Sequence, residues 1–127
     1  MNKEIAAKIS DSELEIMKTL WQADRALSIT EIRSQLQSRT DWESTTIKTL
    51  VQRLCTKGVL LQEKRGVFYY SPLIDEQDYK RWAADNLMQK LYHGSARELV
   101  AALLHADRLT AEDVEELGAW FNRESGK

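Results

Sequence analysis

What this chain has little of excludes a good deal. It holds one cysteine, one proline, five glycines and two histidines among 127 residues. A lone Cys55 cannot form an internal disulfide and fits a reducing compartment, so a cytoplasmic location is expected. His93 and His105 belong to no cluster with metal-ligand spacing, and neither a metal nor another cofactor is expected. No apolar run approaches the roughly 18 residues of a membrane helix, and M-N-K-E-I-A-A-K-I-S lacks the long apolar stretch of a signal peptide. Glycine-rich phosphate loops and motif-placed Ser/His/Asp or Cys/His sets are missing, and paired carboxylates fall only on helix ends and solvated faces. An enzyme is therefore not expected. Repeats, low-complexity tracts and flexible linkers are absent as well.

What is present is apolar enough, at 43%, to bury a core without staples. The net charge of −2 hides an asymmetry. Residues 1–72 carry 11 Lys/Arg against 9 Asp/Glu, a balance of +2, while residues 73–127 carry 7 against 11, a balance of −4. Within 39–72 the excess is +3. A mildly basic first half joined to an acidic second half hints at nucleic-acid contact in the first.

Helix signals open the chain. I-S-D-S-E-L at 9–14 is a capping box of Ser10 with Glu13, with Ile9 and Leu14 placed for a hydrophobic staple. Leu14, Met17, Leu20 and Trp21 then recur at helical spacing. L-S-I-T-E-I at 27–32 repeats the device with Ser28 and Glu31, and that helix carries Ile29, Ile32 and Leu36 inward. A third helix starts near Ser44 or Asp41, carries Ile47, Leu50, Val51 and Leu54 inward, and stops at Gly58. The period then changes: V-L-L-Q-E-K-R-G-V-F-Y-Y-S is two β-prone runs around an E-K-R-G turn, closed by Pro72. Residues 1–6 and 123–127 are expected to fray.

Three helices followed by a hairpin predict a winged helix-turn-helix domain over 1–72. The third helix turns Ser44, Thr45, Thr46, Lys48, Thr49, Gln52, Arg53 and Lys57 outward, which is hydroxyls, an amide and cations with no acid. A B-DNA major groove, about 12 Å wide, admits one such helix, and hydroxyls and amides suit base edges while cations suit phosphates. Lys64 and Arg65, at the wing tip, suit the DNA backbone. Cys55, Trp21 and Trp42 fit packing roles, and Glu63, His93 and His105 fit surface or packing roles. The rival reading is a winged-helix protein-interaction module or adaptor without specific DNA binding.

From Asp75 the helical period returns. Asp75 caps a helix that ends at Gly94, S-A-R-E at 95–98 is a third capping box, and Thr110 caps a last helix, with Leu109 and Val114 as a staple. Three amphipathic faces in about 50 residues exceed what so small a unit buries alone. Residues 73–127 are therefore expected to be a helical dimerisation domain. Its contacts are expected from Tyr79, Trp82, Leu87, Leu91, Leu99, Val100, Leu103, Leu104, Val114, Leu117 and Phe121. The fold class is thus mostly α, a three-helix winged domain with its hairpin followed by three more helices.

The segments I-S-D-S-E-L-E-I-M-K-T-L-W, S-I-T-E-I, W-E-S-T-T-I-K-T-L-V-Q-R-L-C-T-K-G-V-L and V-F-Y-Y-S-P-L resemble the penicillinase-repressor family of winged-helix regulators (BlaI, MecI and CopY type). K-L-Y-H-G-S-A-R-E-L-V and L-T-A-E-D-V-E-E-L resemble its dimerisation helices, so the likeness runs from Ile9 to Leu117. The resemblance implies a homodimeric repressor on a palindromic operator, controlling β-lactam-resistance or related stress or metal-resistance genes, with Thr46, Lys48, Thr49 and Arg53 at the matching recognition positions. Three departures matter. Ser44-Thr45 stands where the family often has Pro-Lys, which bears on the operator. No C-terminal Cys-x-Cys pair exists for copper sensing. Ala102-Leu103 stands where a regulatory protease cuts an Asn-Phe bond in β-lactam-responsive members.

Overall fold

The computed structural model describes residues 3–125. The elements in chain order are α1 (Lys3–Ala7), α2 (Asp11–Ala23), α3 (Ile29–Leu36), α4 (Ser44–Thr56), β1 (Leu60–Arg65), β2 (Val67–Pro72), α5 (Glu76–Tyr92), α6 (Ala96–His105) and α7 (Ala111–Ser125). Contacts divide the chain into two compact units, Met1–Trp82 and Ala83–Lys127, with α5 beginning in the first and ending in the second.

In the first unit, α2, α3, α4 and the β1–β2 hairpin surround one core. Both N-terminal capping boxes form in full. The Ser10 hydroxyl accepts from the Glu13 amide at 3.2 Å while the Glu13 carboxylate accepts from the Ser10 amide at 2.9 Å. Ser28 and Glu31 close the same pair of bonds at 3.2 and 3.0 Å. Each box satisfies amides that a helix start leaves orphaned, and so fixes where the helix begins. The Glu31 carboxyl is held below its ordinary range by the Ser28 amide and then by Arg25. Ile16, Met17 and Leu20 of α2, Ile32 and Leu36 of α3, and Ile47, Leu50, Val51 and Leu54 of α4 form the shared core with Val59, Leu60 and Tyr70. Leu14, Trp21 and Ile29, expected inside, are half-buried at its margin.

The third helix starts at Ser44, and Gly58 ends it with φ +81, a backbone conformation that suits glycine after a helix. The hairpin is tighter than expected. Glu63, Lys64 and Arg65 are extended and paired with Tyr69, Phe68 and Val67, leaving Gly66 (φ +82) at the apex. E-K-R-G is therefore mostly strand, because only Gly66 takes the left-handed backbone that reverses the chain. Leu27 adds a short third rung: its amide donates to the Tyr70 carbonyl at 3.0 Å and its carbonyl accepts from the Tyr70 amide at 2.8 Å. That rung ties the wing to the loop before α3.

Two expectations need correction. Residues 3–6 were expected to fray, yet they lie in α1, and Ala6 is buried. At the other end α7 runs through Ser125, so 123–125 are helical, while residues 1, 2, 126 and 127 lie outside the described range. The third capping box closes on one side only. Ser95 accepts from the Glu98 amide at 3.1 Å, but the Ser95 amide already donates to the Tyr92 carbonyl at 2.8 Å. Thr110 instead makes a full reciprocal cap with Asp113, both bonds at 3.0 Å.

In the second unit α6 and α7 bury no residue. Leu87, Leu91, Val100, Leu103, Leu104, Val114, Leu117, Trp120 and Phe121 are exposed there, and Leu99 is half-buried. Tyr79 and Trp82 fall in the first unit. Tyr79 lies between Trp21 and Trp82, with ring centroids 5.6 Å from each, and the Trp21 indole donates to the Ile74 carbonyl at 2.9 Å. Both aromatics assigned to dimerisation are thus engaged in this stack, and burial pushes the Tyr79 hydroxyl up.

Candidate nucleic-acid interface

With Ile47, Leu50, Val51 and Leu54 turned inward, the 3.6-residue period decides what α4 presents outward. The middle of the outer strip is Thr45, Thr49 and Gln52. Lys48 lies on one flank, and Thr46 and Arg53 on the other. All six are exposed, while Ser44 at the first turn is half-buried. Hydroxyls and an amide occupy the centre, and a cation stands on each side. The Thr49 hydroxyl donates to the Thr45 carbonyl at 3.0 Å, which leaves its lone pairs and methyl facing outward.

No acid sits in the first turn of α4, and its N-terminus has no side-chain cap bond. The preceding Glu43 carboxylate accepts from Arg33 at 3.0 Å, so the nearby negative charge is answered. Arg39 holds the loop before α4 against α2, donating to the Thr19 hydroxyl at 2.9 Å. These contacts fix the angle at which α4 leaves the body of the domain.

Lys57, expected on the outward face, is placed otherwise. Its ammonium donates to the Glu13 carboxylate at 2.5 Å and to the Lys8 carbonyl at 2.8 Å. Glu13 is only 2% exposed. Burial would raise its carboxyl, but Lys57 and the Ser10 amide outweigh burial and hold it below its ordinary value. The ionised form therefore stabilises the fold. That contribution is complete above the ordinary carboxyl value of 4.5 and is lost as pH falls through the lower folded-state value. Acid denaturation of the wild type should steepen below that point, and Glu13→Gln should flatten the change. Equal pH dependence of urea midpoints in the two proteins would contradict this assignment.

The two wing cations lie on opposite sides of the hairpin, because cross-strand partners share a face and neighbours alternate. Lys64, opposite Phe68, sits 5.8 Å from that ring's centroid. Arg65 lies 5.8 Å from the Tyr69 ring and 3.5 Å from the Glu63 carboxylate, so its charge is already partly matched. Cys55 is half-buried, and burial pushes its thiol up, which keeps it protonated. Among the described residues no group of three or more His, Cys, Asp or Glu could hold a metal ion. No helix among them is long and apolar enough to cross a membrane.

A polar helix strip bracketed by cations, on a helix-turn-helix body with a wing, fits what sequence comparison finds. The family model described as penicillinase repressor matches residues 9–123. The chain belongs to the penicillinase-repressor family. It is 36% identical over 111 residues to the penicillinase repressor of Bacillus licheniformis, covering 87% of this chain and 86% of that protein. It is 32% identical over 117 residues to the methicillin resistance regulatory protein MecI of Mammaliicoccus sciuri, covering 91% and 94%. Among solved structures, the DNA-binding domain of the repressor BlaI is 42% identical with a TM-score of 0.51, covering 57% of this chain and 88% of that one. As a member of this family of repressors the chain is a regulator and not an enzyme.

Sequence reasoning missed two residues on this side of the domain. Val67 is 60% exposed and Phe68 43% exposed, where the sequence reads only as a β-prone run. Both line a notch of about 330 Å³ with Ser28, Ile29, Thr30, Lys48 and Tyr70. Alternation could show which residues share a face with buried Tyr70, but not that the hairpin runs on past the end of the core.

Proposed function

We propose that this protein is a sequence-specific DNA-binding repressor that acts as a homodimer on a palindromic operator, with residues 1–72 reading DNA and 73–127 pairing the protomers. The observation that carries the reading is the acid-free outer face of α4. Thr45, Thr49 and Gln52 meet base edges, and Lys48 and Arg53 hold phosphates on either side. Ser44 and Thr46 flank the base-reading strip, and Lys64 and Arg65 extend the contact along the wing. Lys57 serves instead to anchor α4. The relatives named above are penicillinase and methicillin-resistance repressors, so genes of β-lactam resistance or a related stress response are the natural targets.

The exposed apolar residues of α5, α6 and α7 supply the protomer contact, because nine large apolar side chains open to water would otherwise stay unburied. A regulatory protease is a further partner of this reading. Its cut would fall within α6 at Ala102 and Leu103, and a helical backbone must open locally before a protease can take it.

Salt tests the reading. Affinity for a promoter duplex should fall steeply with added salt, as counterions are released from phosphates. Arg53→Ala should weaken binding about tenfold and lower the salt slope by about one. Its melting temperature should not move, since Arg53 is exposed. A salt-insensitive interaction, or none with duplex DNA, would favour the adaptor reading.

A further inference from the structure

The notch beside α4 has a composition that the base-reading strip lacks. Its floor is apolar, with Ile29, Val67, Phe68 and the ring of Tyr70, and Lys48, Thr30 and Ser28 complete its lining. Lys64, outside that lining, lies 5.8 Å from the centroid of the Phe68 ring. Leaving a phenylalanine and a valine exposed on a small domain is costly unless something covers them. Nothing in the hairpin's pairing requires them. Phe68 pairs with Lys64, and Val67 with Arg65.

We propose that this notch seats one sugar–phosphate step of the operator duplex. A deoxyribose lies on Phe68, Val67 and Ile29, and its phosphate meets Lys48 and the Thr30 hydroxyl. The inference rests on the DNA-binding reading above and adds a subsite to it. Charge complementarity selects the occupant: an apolar lining with the Lys48 cation and two hydroxyls beside it matches a deoxyribose and its phosphate. A base edge would bring several polar atoms onto a floor that offers few partners. The apolar floor also disfavours a sugar bearing a 2′-hydroxyl, which would be buried there without a hydrogen bond. Phe68 and Val67 thereby fix how far the wing side of α4 settles onto the backbone.

The test uses the full chain and a duplex recovered from a random pool by selection on wild-type protein. Phe68→Ala should weaken binding about tenfold. A scan of single methylphosphonates should find one step at which Lys48→Ala no longer costs affinity. A single ribose placed at that same step should weaken the wild type and leave Phe68→Ala unaffected, because the smaller side chain makes room for the hydroxyl. Val67→Ser, at the more exposed position, serves as a second variant should Phe68→Ala lower the melting temperature. The proposal is overturned if neither variant changes affinity, or if the loss maps to no single backbone step. It is also overturned if the loss vanishes on replacing one thymine by uracil, which would give the notch to a base methyl. If the selection recovers no duplex, the DNA-binding reading itself falls and this inference with it. Those outcomes are separable, since only the last concerns the wild type alone.

Discussion

Lys57→Met is expected to lower the melting temperature by roughly 12–24 °C while changing the salt dependence of DNA binding little. The substitution keeps the length and apolar stem of the side chain but removes its charge. Glu13 would then be a carboxylate 2% exposed, left with Ser10 and without its cation. Removing one partner from a buried pair leaves the other uncompensated, at a cost of about 3–5 kcal/mol. The lower end applies here, because Lys57 is 27% exposed and water can reach its place. For a unit of this size each kcal/mol is worth about 4–8 °C. Combining Lys57→Met with Glu13→Gln should recover most of the loss, since the pair then disappears without stranding a charge. If Lys57→Met melted like the wild type but bound DNA with a salt slope reduced by one, Lys57 would be a phosphate contact and the anchoring role would be wrong.

The same residue shows where sequence reasoning stops. The buried stripe of α4 was readable from its period, and so was its end at Gly58. The capping boxes at Ser10 and Ser28 were readable because each is completed within four residues. Lys57 lies at the edge of the polar face, where the period alone leaves it facing solvent. What turns it inward is a carboxylate 44 residues away, already engaged in the α2 cap. No local pattern encodes that pairing. Likewise α1 is five residues long, too short to show a period, yet Ala6 is buried and Ile5 packs against the core. Tyr79 and Trp82 did match the amphipathic pattern of α5. The pattern says that a face is apolar, not what covers it, and in this case Trp21 stacks on Tyr79.

The DNA-binding half is only weakly basic. With +3 over 39–72, this chain has little charge to spend on a polyanion. The structure answers some of those cations internally: Arg39 to α2, Lys57 to Glu13, Arg65 in part to Glu63. Lys48, Arg53 and Lys64 have no acidic partner within ion-pair distance among the described residues. Few free cations on one domain imply a modest phosphate count per protomer, and so a modest affinity for a single half-site. Two domains on one duplex then matter more than they would for a strongly basic protein.

That dependence makes the second large effect an assembly effect. Leu103→Asp is expected to convert the proposed dimer to a protomer of 14.7 kDa by light scattering, and to weaken binding to a two-half-site operator by roughly 10²–10⁴. Leu103 is 40% exposed within α6, so an aspartate there can remain hydrated in the lone protomer, and helix content should survive. In a paired interface the same carboxylate would be buried among Val100, Leu104 and their counterparts without a partner, which costs several kcal/mol. Binding to a duplex carrying one half-site should change little, because the reading helix is untouched. That contrast separates lost assembly from a damaged DNA-binding face. Leu103→Met, similar in volume and apolar, should stay dimeric. A Leu103→Asp protein that remained dimeric at micromolar concentration would place the interface elsewhere, with Phe121, 72% exposed on α7, as the next position to charge.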